Sequence, residues 1–157
     1  MEAARRLSDR LALAGGALLL GMAVLIAASV LLRWLTRQGI AGDFELLQIG
    51  LALAVFSFMP LCQIRGGNLF VDTFTGRLPA AVQRRIDGFW SLIYAVVAVL
   101  IAAMMAKGAV ETLRAGTTSM VLELPLGWPI AICAVLAAWL AWVVLLTAVD
   151  ALRVRDR

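Results

Sequence analysis

The chain has 157 residues, of which 63% are hydrophobic and 15% are charged, a composition that argues against an ordinary water-soluble domain. Its net charge of +4 is too modest and too scattered to indicate nucleic-acid binding. Because the chain has no histidine, His-ligated zinc, bis-His haem and Ser/His or Cys/His nucleophile pairs are excluded.

Four uncharged stretches predict four membrane-spanning helices, at about residues 11–32, 46–64, 88–106 and 124–149. Each stretch is long enough to cross a hydrocarbon core of about 30 Å, since a helical residue adds about 1.5 Å. All charged residues lie outside these stretches. We therefore expect an all-α integral membrane protein with four transmembrane helices in a single membrane domain, residues 1–157.

The basic residues predict the orientation of the helices. Ten of the 14 Lys and Arg residues lie in the N-terminal arm, the second connection and the C-terminal tail, and four lie in the first and third connections. Because short basic segments tend to stay in the cytoplasm, we expect both termini there. The first uncharged stretch is longer than the core of a signal peptide, so we expect a retained span.

Opposite charges face each other across the first connection. Asp43 and Glu45 open the second span, and Arg33 and Arg37 follow the first. In one interpretation all four side chains are hydrated at the surface, where an exposed pair contributes about 0–1 kcal/mol. In the other, Arg33 and Glu45 fix the first hairpin or contact a periplasmic partner.

The second connection predicts an interfacial amphipathic segment at about residues 68–87. Asn68 suits the cap of a short helix, and apolar residues then recur at helical spacing up to the third span. The alternative is a plain basic connector.

The spans themselves offer little chemistry. None contains an ionisable Asp, Glu, Lys, Arg or His, which argues against an autonomous pump. Their polar residues, such as Ser29, Gln63 and Thr147, suit bonds to backbone or to a neighbouring helix. In the fourth span Trp139 and Trp142 are three residues apart and should share a face, which offers an apolar surface to lipid or to another helix, as a ridge for a partner would.

Two segments carry a family pattern. The first is Gly42-Asp43-Phe44-Glu45-Leu46, followed by an apolar helix and the run from Gln63 to Asp72; the second extends from Thr117 to Trp128. Together they resemble the small, DctQ-type membrane subunit of tripartite ATP-independent periplasmic (TRAP) transporters. The matching positions are Arg33, Glu45, Arg65, Val71, Asp72 and Pro125, and Asn68 stands where the family usually has histidine.

The resemblance implies a subunit that is not an enzyme and holds no cofactor. It implies a bacterial inner-membrane location and two partners: a large multispanning subunit, which carries sodium and substrate, and a periplasmic substrate-binding protein. This chain would be a scaffold that supports sodium-coupled uptake of an organic acid, whose identity the sequence does not give.

The sequence leaves two other functions open. One is a self-sufficient small exporter that works as a homodimer, for which Glu45 would be the nearest membrane carboxylate. The other is a membrane anchor for a redox complex, which the absence of histidine makes difficult.

Overall fold

The computed structural model describes the backbone of residues 2–65 and 80–153, and the side chains of residues 2–65 and 89–147. Within these ranges the chain forms four long helices: α1 (Glu2–Thr36), α2 (Asp43–Ile64), α3 (Ala80–Ala115) and α4 (Gly127–Arg153). All four are long and apolar enough to cross a membrane. The predicted all-α, four-span architecture is therefore confirmed.

The helices extend beyond the uncharged stretches at several ends. Helix α1 begins at Glu2 and α3 continues to Ala115. Both helices therefore include charged residues beyond the uncharged stretch, where the helix enters the water. Helix α4 begins at Gly127, three residues later than the uncharged stretch, because residues 124–126 belong to the preceding turn.

The predicted interfacial segment is described only in part. Residues 68–79 lie outside the described residues. Residues 80–87 form the first turns of α3, in one continuous helix with the third span. An orientation of this segment along the membrane surface stays a prediction.

The four helices pack as two hairpins side by side. Helix α1 packs against α2, α3 packs against α4, and α2 joins the hairpins by packing against α4. Helix α4 is the most buried of the four, whereas α1 and α3 lie at the two flanks. The main apolar cluster, Ala95, Leu140 and Val144 with Met59 and Tyr94 against it, lies where α2, α3 and α4 meet.

Small residues bring α1 and α2 close together. A Cβ atom added at Gly15 would lie 2.8 Å from the Ser57 Cβ and 3.3 Å from the Ala54 carbonyl oxygen, and Ala54 is fully buried. In the structure, Gly15, Gly50 and Ala54 serve contacts inside the chain.

This packing predicts a difference between two adjacent glycines. We expect Gly15→Ala to lower the stability of the fold by about 1–3 kcal/mol, because the added methyl group has no room against α2. We expect Gly16→Ala to leave stability unchanged or slightly raised, because its Cβ would meet nothing within 4 Å. Thermal unfolding in mild detergent measures both; equal loss in the two variants would contradict the close approach of α1 and α2.

Candidate functional site

The first connection is closed by a polar network around Asp43. The buried Ser29 hydroxyl donates to Asp43 Oδ2, and the Ile40 N–H donates to Ser29 Oγ at 3.1 Å. Arg33 Nη2 lies 3.6 Å from the same Asp43 oxygen. Arg33 therefore does pair across the first connection, but with Asp43 and not with Glu45, because Asp43 is held against α1 by Ser29.

Glu45 instead holds the connection between α3 and α4. Its carboxylate accepts hydrogen bonds from Ser119 Oγ at 2.8 Å, from Val121 N–H at 2.8 Å and from Leu122 N–H at 3.0 Å. Hydrogen bonds to an ionised acceptor are shorter and stronger than those between neutral groups. We call Glu45 with residues 119–122 the clasp, since it joins the two hairpins at one end.

The connection held by the clasp, residues 117–126, is closed by its own hydrogen bonds. Ser119 N–H donates to the Leu124 carbonyl at 2.9 Å, and Leu126 N–H donates to the Thr117 carbonyl at 3.1 Å. Ser119 Oγ also accepts from Leu124 N–H at 3.2 Å, so this hydroxyl serves both the turn and Glu45. These hydrogen bonds hold the backbone of the connection within the chain itself.

Gly42 brings the two connections into direct contact. It has a φ of 75°, a conformation that side-chain-bearing residues rarely adopt. A Cβ atom there would overlap the Leu122 side chain, so Leu122 packs directly over the Gly42 backbone. The two connections thus form one surface, which carries Met120 at 97% exposure and Val121 at 58% exposure.

Polar contacts between described residues also join the helices at the opposite end. Arg65 Nη2 lies 3.3 Å from Asp9 Oδ1, between α2 and α1. Gln63 Nε2 donates to Thr147 Oγ1 at 2.9 Å, between α2 and α4. Trp139 Nε1 donates to the buried Ser8 Oγ at 3.1 Å, between α4 and α1. These contacts confirm that polar groups of the helices bond to neighbouring helices.

An apolar groove runs along the flank formed by α3 and α4. Its larger part has a volume of about 630 Å³, and eight of its fourteen lining residues are alanine, which lets another backbone approach closely. A second part of about 370 Å³ shares Val99, Ala103 and Leu145 with the first and continues to Leu92. No charged residue lines either part among the described residues.

The comparisons with known proteins identify the chain. A family model for tripartite ATP-independent periplasmic transporters, DctQ component, matches residues 22–154. The chain belongs to this family. It is therefore the small membrane subunit of a TRAP transporter, as the sequence motifs indicated. No curated protein and no solved structure gives a match.

The two tryptophans that were predicted to share a face have different neighbours in the structure. In this TRAP subunit Trp139 is half-buried and bonds to Ser8, whereas Trp142 is 55% exposed and lines the α3–α4 groove. Trp139 therefore contacts α1 within the chain, whereas Trp142 lies beside α3. A partner-facing ridge of both rings stays a prediction. The role of Trp142 in partner binding stays a prediction.

The remaining predicted residues of the TRAP subunit have different outcomes. Arg65 bonds to Asp9, and Pro125 pairs with Thr118 in the turn between α3 and α4. Asn68 and Asp72 lie outside the described residues. Their roles in the subunit stay predictions.

Sequence reasoning missed the partners of the charged residues. Ser119 and the N–H groups of Val121 and Leu122 were not singled out, because they are ordinary turn residues that are more than 70 positions from Glu45. Asp9 was not paired with Arg65 because 56 positions separate the two residues. One signal in the sequence could have indicated these contacts: the charged residues involved lie at helix ends on the same predicted side of the membrane as their partners.

Proposed function

We propose that this TRAP subunit is a rigid scaffold with no substrate or sodium site of its own. It supports a large sodium-coupled membrane subunit, which takes up an organic acid delivered by a periplasmic binding protein. The observation that carries this proposal is the distribution of charged groups. Asp43, Glu45 and Arg65 are engaged at helix ends, and the four uncharged stretches hold no Asp, Glu, Lys, Arg or His. Ion and proton sites within membranes usually need such residues.

The α3–α4 groove is the proposed docking face for the large subunit. From Leu92 to Leu113 on α3 it follows the helix for about 31 Å at 1.5 Å per residue, which is close to the full hydrocarbon thickness. Its alanines allow close backbone approach, which drives helix association where lipid and protein are equally apolar. A spanning helix of the large subunit is the occupant that uses this whole length.

The orientation proposed here places both termini in the cytoplasm. It is supported by the arginines near the start of α1 and at the end of α2, which are the two helix ends that the Asp9–Arg65 contact joins. The basic C-terminal tail supports it as well. The clasp then lies on the periplasmic side, where Met120 and Val121 face the binding protein. A reporter that is active only in the periplasm is expected to be silent when it is fused after Arg157 and active when it is inserted after Met120.

The proposal is tested by what the subunit binds and what it transports. Native mass spectrometry of the tagged chain, extracted from its own host in mild detergent, is expected to detect a one-to-one complex with a much larger multispanning protein. A homodimer alone, under conditions that preserve other membrane complexes, would contradict the proposal.

A transport assay supplies the second test. Sealed vesicles that contain this chain alone are expected to take up no organic acid with a sodium gradient, and vesicles with both membrane subunits and the binding protein are expected to take it up. Sodium-dependent uptake by the chain alone would show that it carries its own sites and would overturn the scaffold role.

A further inference from the structure

A second groove lies on the other flank of the protein, between α1 and α2. It has a volume of about 790 Å³, and its walls are apolar residues of both helices, including Leu13, Gly16, Leu20 and Leu61. Asp9 and Arg65 lie at one end of it. This groove is separate from the α3–α4 groove, because α1 and α3 lie at opposite flanks of the four helices.

The length of this groove distinguishes its occupant from a membrane helix. On α1 it extends from Asp9 to Leu20, which is about 16 Å at 1.5 Å per residue. That distance is about half of a hydrocarbon core of about 30 Å, and so equals the depth of one leaflet. A spanning helix needs the whole thickness, whereas a lipid acyl chain needs one leaflet.

The charged end of the groove matches a lipid headgroup. Arg65 and Asp9 lie at the start of the apolar walls, with their side chains 63% and 40% exposed. A guanidinium has five N–H donors, so that Arg65 has the capacity to hold Asp9 and a phosphate together. The Asp9 carboxylate in turn attracts a primary ammonium group. Farther along α1, Arg6 lies 3.8 Å from Glu2, so charges of both signs alternate there.

We propose that the α1–α2 groove binds phosphatidylethanolamine. One acyl chain lies along Leu13, Gly16 and Leu20, the phosphate binds Arg65, and the ammonium group binds Asp9. A zwitterionic headgroup fits a site whose two charges have opposite signs, whereas phosphatidylglycerol has no cation for Asp9. This binding does not depend on the proposed transport function, because every residue involved belongs to this chain.

The test uses a glycine that borders the groove and a matched glycine that does not. A Cβ atom at Gly16 would meet nothing within 4 Å in the chain itself, and Gly16 lines the groove, so Gly16→Leu is expected to place its side chain in the groove. Gly21 is also open and lies on the same helix, but it does not line the groove. Gly21→Leu is therefore the control for adding an apolar side chain to α1.

The full chain is purified after mixing with phosphatidylethanolamine, phosphatidylglycerol and phosphatidylcholine in equal amounts, and retained lipid is counted by native mass spectrometry. We expect the unmodified chain and Gly21→Leu to retain phosphatidylethanolamine over the other two lipids, and Gly16→Leu to retain at least tenfold less. Asp9→Asn is expected to remove the preference over phosphatidylcholine and phosphatidylglycerol while lipid is still retained.

Three results would overturn the proposal. Equal retention by Gly16→Leu and Gly21→Leu would mean that the lipid binds elsewhere. A preference for phosphatidylglycerol would mean that the surrounding arginines select an anionic lipid. A photoreactive phosphatidylethanolamine is expected to crosslink to residues 13–20. If it did not, and a photoreactive group placed at Leu13 crosslinked instead to a helix of another membrane protein, the groove would belong to a protein partner.

Discussion

Replacing Ala138 with phenylalanine is expected to abolish co-purification of the large membrane subunit. Ala138 is exposed and lines the α3–α4 groove. A phenyl ring there would occupy the space that a partner helix needs, and membrane helices associate through close packing because lipid gives them no hydrophobic driving force. We expect at least a tenfold loss of the large subunit in pull-downs from detergent-solubilised membranes.

The control for this prediction is the same substitution on the opposite flank. Ala27 is exposed on α1 and is not among the residues that line the grooves described here. Ala27→Phe is therefore expected to retain the large subunit at the normal level. If Ala27→Phe removed the large subunit and Ala138→Phe did not, the docking face would lie on the α1 side, and the proposed α3–α4 interface would be wrong.

Replacing Glu45 with alanine is expected to release the turn between α3 and α4. The substitution removes the acceptor for the Ser119 hydroxyl and for the N–H groups of Val121 and Leu122, and it removes the only described polar contact between α2 and this turn. We expect proteolytic cleavage within residues 117–126 to increase several-fold in detergent, because cleavage follows the open population of a segment.

The same variant distinguishes binding of the large subunit from transport with the binding protein. Since neither Glu45 nor residues 119–122 line the α3–α4 groove, Glu45→Ala is expected to keep the large subunit bound while uptake with the binding protein decreases. Glu111→Ala is the control, because Glu111 is exposed and, among the described residues, its ion pair is with Lys107 one helical turn away. Unchanged cleavage and uptake in Glu45→Ala would contradict the role of the clasp.

The membrane architecture could be predicted from the sequence in most respects. A hydrocarbon core admits only backbone that bonds to itself, so uncharged stretches of about 20 residues become helices whatever their neighbours are. The four spans and their order follow from this requirement. The precise start of α4 did not follow, because Pro125 and Leu124 are as apolar as the helix but belong to a turn held by Thr117 and Ser119.

The family could also be predicted, since its motif residues are local in the sequence. Arg33, Glu45 and Arg65 were each correctly placed at helix ends. Their partners were not predictable, because Asp43 competes with Glu45 for Arg33 and the two carboxylates are only two residues apart. Which carboxylate faces which connection depends on the rotation of α2 about its axis.

The sequence by itself determined that this chain crosses the membrane four times and that its charges lie at the helix ends, because the bilayer imposes these properties on each segment separately. Only the tertiary structure decided that Glu45 holds a turn more than 70 residues away, that Trp139 faces α1, and that two grooves of different length occupy the two flanks. These features depend on how helices rotate and pair, and in lipid the pairing is set by shape and hydrogen bonds, which hydropathy does not encode.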